Sequence, residues 1–162
     1  DMLPIVSIIT GQKNKTALVF AKREHLDSVY SGVRNKLIAL EHLCKSRGIT
    51  PKQVAYVYDD IADLSVAQSC GVKFFISHEN TPLLNKYVIK HNLADYVPAN
   101  SGKYGAVREI CELILDNYVL FEDVIEERSK FSKKYQEFFA KRQSITLSTT
   151  QALPFLRGSP KY

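Results

Sequence analysis

Short runs of β-branched and aromatic residues alternate along this chain with segments whose apolar residues recur at helical spacing, and few folds accept that order. Residues 3–9, 28–30, 54–57, 72–76 and 95–97 read as strands. Residues 14–24, 36–47, 61–70, 82–91 and 105–115 read as helices. In the second of these helices Leu37, Leu40, Leu43 and Cys44 share one face, and Gly48 sits where helices commonly stop. Thr50-Pro51 starts a brief turn, and Gly71 closes the third helix. Strands separated by helices of about ten residues pair in parallel and are covered on both faces. The expectation is therefore an α/β fold, a three-layer, Rossmann-like core around a parallel sheet. Ligands of such sheets gather beyond the carboxyl ends of the strands. Thr10 and Asp59 both fall at such ends.

Beyond residue 118 the alternation stops. Residues 119–143 read as a charged and aromatic helical extension with Phe121, Val124, Ile125, Phe131, Tyr135, Phe138 and Phe139 at mixed spacing. Residues 144–162 read as a polar tail with one apolar patch at 153–156. Much of the net charge of +5 lies late, in Arg128, Lys130, Lys133, Lys134, Lys141, Arg142, Arg157 and Lys161. That charge suits an anionic partner without choosing one, and a solvated basic face is the plainer reading. No helix-turn-helix or aromatic ribonucleoprotein signature is present, which argues against nucleic acid. No apolar run approaches the roughly 20 residues that cross a bilayer, so no membrane span is expected. Cys44, Cys70 and Cys111 are odd in number and widely spaced, which fits buried thiols in a reducing cytoplasm rather than a disulfide framework.

The densest chemical signal is Tyr56-Val57-Tyr58-Asp59-Asp60-Ile61-Ala62-Asp63. Three carboxylates at a strand end and in the first turn of a helix repel one another. A cation relieves that repulsion, and oxygen-only ligands suit Mg²⁺. Helix-capping acids favoured by the macrodipole would give the same pattern.

Strand-Thr10-Gly11, Lys36 at the start of a helix, and strand-Asp59-Asp60-x-x-Asp63 resemble, in order, the second, third and fourth motifs of phosphatases of the haloacid dehalogenase superfamily. The segments 31–37, 54–60 and 102–109 are further similar to the family of 3-deoxy-D-manno-octulosonate 8-phosphate phosphatases. The Gly-x-x-Gly-Ala-x-Arg-Glu run from Gly102 to Glu109 is the most telling of them. The likeness runs from about Ile5 to Leu115. It implies a cap-less, Mg²⁺-dependent, tetrameric phosphatase acting on a phosphorylated sugar acid of lipopolysaccharide synthesis, or on a related nonulosonate phosphate. It also implies roles. Thr10 and the Gly11 amide would hold phosphoryl oxygens, with Gln12 and the loop through Gly105 to Arg108 near the substrate or a subunit interface. Lys36 would neutralise the nucleophile and phosphate. Asp59 would ligate Mg²⁺, with Asp60 and Asp63 as direct or outer support.

The same resemblance implies an Asp-x-Asp motif on a central strand, carrying the phosphoryl-accepting carboxylate, and these 162 residues contain none. Asp1 cannot replace it, because it directly precedes the strand of Thr10. The expectation is that the motif lies upstream of Asp1. Two departures accompany this one: Tyr58 stands where the family usually has Gly, and Gln12 where it usually has Arg. A non-catalytic binding or oligomerisation domain of the same fold is the alternative.

Overall fold

A computed structural model describes residues 3–151. Asp1, the apolar patch at 153–156, Arg157 and Lys161 lie outside the described residues. The chain forms two compact units, one from residues up to Leu40 and from Glu126 onward, the other from Glu41–Ile125. This division differs from the sequence-based one at 118 and 143.

In the first unit, β1 (Ser7–Thr10), α1 (Lys15–Arg23) and β2 (Ser28–Ser31) lead to α2 (Lys36–Arg47), which runs on into the second unit. Asn14 starts α1 by accepting the Ala17 amide on its side-chain oxygen at 3.0 Å. β1 pairs in parallel with β2, matching Thr10 to Ser31. The other neighbour of β2 is a strand that hydropathy does not reveal, β5 (Ser148–Gln151), matching Ser28 to Ser148 in parallel. The tail expected to be irregular thus contributes a strand. It escapes hydropathy because it is a polar edge strand with no fully buried residue.

Arg142 ties this return to the rest of the unit. Its guanidinium donates to the carbonyls of Pro4 at 3.1 Å and His25 at 3.3 Å, and to the Asp27 carboxylate at 3.4 Å. Among the described residues β1 has a partner on one edge only. Accordingly Ile8 and Ile9 are half-buried, while Ser28, Val29 and Tyr30 of the central β2 are buried. The apolar run 3–9, which read as a buried strand, is thus a shorter, half-buried one.

The second unit is layered. β3 (Ala55–Tyr58) and β4 (Val72–Phe75) form a parallel pair. On one face Tyr58 and Phe75 pack with Ala67 of α3 (Leu64–Ser69), Val88 of α4 (Pro82–Lys90) and Leu93. On the other face Phe74 and Ile76 pack with Ala106 and Ile110 of α5 (Ala106–Asn117). The alternation of β4 thus serves two cores, the helix–sheet–helix layering expected from the sequence. The strand expected at 95–97 is reduced to one bridge between Tyr96 and Phe74. β3, like β1, has one edge without a partner among the described residues, and Val57 on it is exposed.

The charged and aromatic stretch after α5 is two helices, α6 (Phe121–Ser129) and α7 (Lys133–Gln143). The chain breaks at Val119 and Phe131, which adopt φ of 56° and 47°. No helix among the described residues is long and apolar enough to cross a membrane.

Candidate functional site

The Thr10 group lies wholly in the first unit. β1 ends at Thr10, and the following turn folds back on the end of β2. The Gln12 carbonyl accepts the Gly32 amide at 3.1 Å, the Ser31 hydroxyl at 3.3 Å and the Thr10 hydroxyl at 3.4 Å. The Val33 amide donates to the Thr10 carbonyl at 3.1 Å, so residues 31–33 are laid against the turn. A Cβ on Gly11 would meet the Val33 carbonyl at 3.8 Å, ordinary contact, so space alone does not demand glycine there. The 3.4 Å Thr10 hydrogen bond is long, and an anion oxygen can replace it at little cost. Gln12 is exposed, and Lys36 stands half-buried at the first position of α2, three residues past Val33. Backbone donors at a helix start and strand-end hydroxyls make a surface suited to phosphate.

The acidic group lies wholly in the second unit. Asp59 and Asp60 follow β3 and are exposed. Asp60 caps the short 3₁₀ turn Ile61–Asp63, accepting the Ile61 amide at 2.6 Å. Asp59 accepts from the imidazole Nε2 of His78 at 3.0 Å. Asp63 behaves differently: it is buried and accepts the Tyr56 hydroxyl at 2.5 Å. Burial, with the Asp63 carboxylate beside it, pushes the Tyr56 phenol well above its ordinary range, so it remains the donor. Tyr58, where a glycine was expected, points into the core and donates to the Leu93 carbonyl at 2.7 Å. Its phenol is pushed up to about 12, chiefly by burial.

Three carboxylates therefore do not converge. Among the described residues no three His, Cys, Asp or Glu side chains gather to hold a metal. The exposed pair Asp59 and Asp60 still fits Mg²⁺, which takes one or two protein carboxylates and keeps waters. Asp63 is placed to brace β3 through Tyr56 rather than to meet a cation.

Gly105 adopts φ 92°, a left-handed conformation that favours glycine, between the 3₁₀ turn Gly102–Tyr104 and α5. Arg108 is exposed and pairs with Glu112 at 2.8 Å, one turn along its own helix. Glu109 does what its neighbour does not. It accepts the Ala99 amide at 2.9 Å, the Asn100 amide at 3.2 Å, the Asn100 side chain at 3.1 Å and the Tyr96 hydroxyl at 2.7 Å. The Ala99 amide and the Tyr96 hydroxyl lead in holding its carboxyl down to about 2.

Sequence reasoning missed His78 as the partner of Asp59 and Glu109 as the anchor of the loop before α5. The strand-end rule applied to β3 applies equally to β4 and would have pointed to His78, three residues past Phe75. The Gly-x-x-Gly-Ala-x-Arg-Glu run singled Glu109 out without showing its role, because two of its four donors are the backbone amides of Ala99 and Asn100.

The parallel α/β layering and strand-end motifs define a core of haloacid dehalogenase type, and the comparisons with known proteins agree. No protein-family profile matches the chain. It is 36% identical over 110 residues to 3-deoxy-D-manno-octulosonate 8-phosphate phosphatase KdsC of Escherichia coli, covering 68% of this chain and 55% of that protein. The KdsC phosphatase of Yersinia pestis matches to the same extent, at 36% over 110 residues. Among solved structures, the Moraxella catarrhalis octulosonate 8-phosphate phosphatase, in complex with magnesium, phosphate and KDO, superposes with a TM-score of 0.64 at 32% identity. That match covers 75% of this chain and 66% of the other. The cobalt-bound Haemophilus influenzae phosphatase gives 0.59 at 28% identity, covering 68% and 61%. The particular resemblance is to the KdsC phosphatases, and the chain spans about half the length of the curated relatives it matches.

Proposed function

We propose that this chain is the phosphate- and metal-holding part of a Mg²⁺-dependent phosphatase that hydrolyses a phosphorylated sugar acid, 3-deoxy-D-manno-octulosonate 8-phosphate or a related nonulosonate phosphate. One observation carries the reading. The residues matching the phosphatase motifs stand at the carboxyl ends of β1 and β3, and each of these strands has one unpaired edge among the described residues. A parallel strand bearing Asp-x-Asp would satisfy such an edge and supply the nucleophile that these residues lack.

In this reading the Thr10 hydroxyl and the Gly11 amide donate to the phosphoryl oxygens, and the Lys36 ammonium offsets their charge. Asp59 and Asp60 hold the cation, and Tyr56 and Asp63 stiffen the strand end beneath them. Bound Mg²⁺ supplies charge stabilisation to the phosphoryl group in flight. The loop from Gly102 to Arg108, which follows the segment Tyr96 to Asn100 held by Glu109, faces the sugar end of the substrate or a neighbouring subunit. Exposed apolar side chains, Tyr118 and Leu120 in the second unit and Phe131, Phe138 and Phe139 in the first, support a homotetramer. The octulosonate substrate follows the relatives' names, and a reducing cytoplasm remains the compartment that the free cysteines suggest.

The test is a Mg²⁺ titration followed by phosphate release from both sugar-acid phosphates, using the chain joined to an Asp-x-Asp strand segment. Asp59→Asn should remove Mg²⁺ binding and turnover together. Equal Mg²⁺ affinity in the variant would overturn the assignment. Absence of turnover on either substrate would favour a non-catalytic domain of the same fold.

A further inference from the structure

We propose that His78 is a positioning residue for the metal site, orienting the Asp59 carboxylate so that one oxygen is held and the other is presented to a divalent cation. This rests on the reading of Asp59 as that cation's protein ligand.

β3 and β4 run in parallel and in register, Tyr58 opposite Phe75, so both strands end at the same level. The Ile76 amide extends the pairing by donating to the Tyr58 carbonyl at 2.8 Å. Asp59 and the segment ending in His78 therefore leave the ladder side by side. The imidazole Nε2 lies 3.0 Å from Asp59 Oδ2. An ionised carboxylate only accepts, so the shared proton sits on Nε2.

The imidazole is not placed by Asp59 alone. The His78 carbonyl accepts the Asn85 side-chain amide at 2.8 Å, the Thr81 amide at 3.1 Å and the Thr81 hydroxyl at 3.3 Å. Three donors from the start of α4 fix the turn that carries the ring. A chain of contacts thus runs from α4 through His78 to Asp59.

The pair is too exposed to matter much for stability: the His78 side chain is 34% exposed and that of Asp59 56%. Contacts between side chains so exposed contribute little to folding. Its value lies in direction. Mg²⁺ demands near-ideal octahedral geometry, and a carboxylate that can spin about its terminal torsion must be ordered when the cation binds. A hydrogen bond to one oxygen removes that freedom beforehand, as partners of metal-bound side chains do elsewhere.

The experiment is Mn²⁺ binding to the full chain, read from loss of the free-ion electron paramagnetic resonance signal, with Mg²⁺ as competitor. Wild type should bind, and His78→Ala should bind about tenfold more weakly. His78→Gln, whose amide nitrogen can replace Nε2, should recover most of the loss, and Asn85→Ala should lose part of the affinity. The denaturation midpoint of His78→Ala should match wild type. Equal affinity in wild type and His78→Ala, or no recovery with glutamine, would overturn the proposal. No binding by wild type, or unchanged binding by Asp59→Asn, would instead overturn the metal reading beneath it.

Discussion

At Gly71 the backbone comes so close to the preceding connection that a Cβ would lie 1.9 Å from the Lys52 carbonyl oxygen and 2.8 Å from its carbon. Backbone cannot swing aside as a flexible side chain can, so Gly71→Ala should destabilise by about 3 kcal/mol, at the upper end of overpacking costs. Urea unfolding of the variant should show a lowered midpoint with an unchanged slope. Glu109 offers a second test at the same scale. Its carboxyl is held at about 2 against an ordinary value of 4.5, so its hydrogen bonds favour the folded state only while it is ionised. That contribution is complete above pH 4.5 and is lost as pH falls through about 2. Glu109→Gln should therefore be less stable than wild type at pH 6, with the difference narrowing across that window. A difference independent of pH between 6 and 2 would contradict the clamp.

At the scale of elements, five helices end in the same way, with a left-handed residue followed by an amide that reaches back five positions. The residues are His25, Gly48, Asn92, Val119 and Phe131, and the amides of Leu26, Ile49, Leu93, Leu120 and Ser132 donate at 2.9 to 3.0 Å. Only Gly48 announced this in the sequence, because glycine is the residue whose conformational preference signals it. Val119 and Phe131 hide it, and the residues beyond α5 therefore read as one helical extension. A β-branched residue at φ 56° is strained. Val119 is 87% exposed and sacrifices almost no burial when replaced. Val119→Gly should thus stabilise by about 1 kcal/mol, measured as a raised denaturation midpoint. Arg142 was read as part of a solvated basic face because charge alone cannot report a partner 115 residues away in Asp27. Arg142→Ala should cost about 2 kcal/mol, the worth of hydrogen bonds to a charged group. Amide exchange should accelerate first in β5 and at its register with β2.

For the molecule as a whole, the alternation of short strands and helices was enough to predict parallel layers, because buried strands and amphipathic helices carry different periods. The strand ends were legible too, and with them Thr10 and Asp59. What escaped was tertiary: a polar edge strand at residues 148–151, the turning inward of Asp63, and the partners of Asp59 and Glu109. Each depends on a partner outside its own strand or helix, which hydropathy periodicity does not report. Assembly is tested by light scattering at micromolar concentration, where a mass four times that of the chain is expected and a stable monomer would contradict the tetramer. The central claim is that these residues hold phosphate and metal but cannot accept a phosphoryl group, having no Asp-x-Asp carboxylate. The measurement that tests it most directly is phosphate release from 3-deoxy-D-manno-octulosonate 8-phosphate with Mg²⁺, by the 162 residues alone and by the same residues joined to an Asp-x-Asp strand segment. Turnover by the joined protein and none by the 162 residues is the predicted result, and full turnover by the 162 residues alone would contradict it.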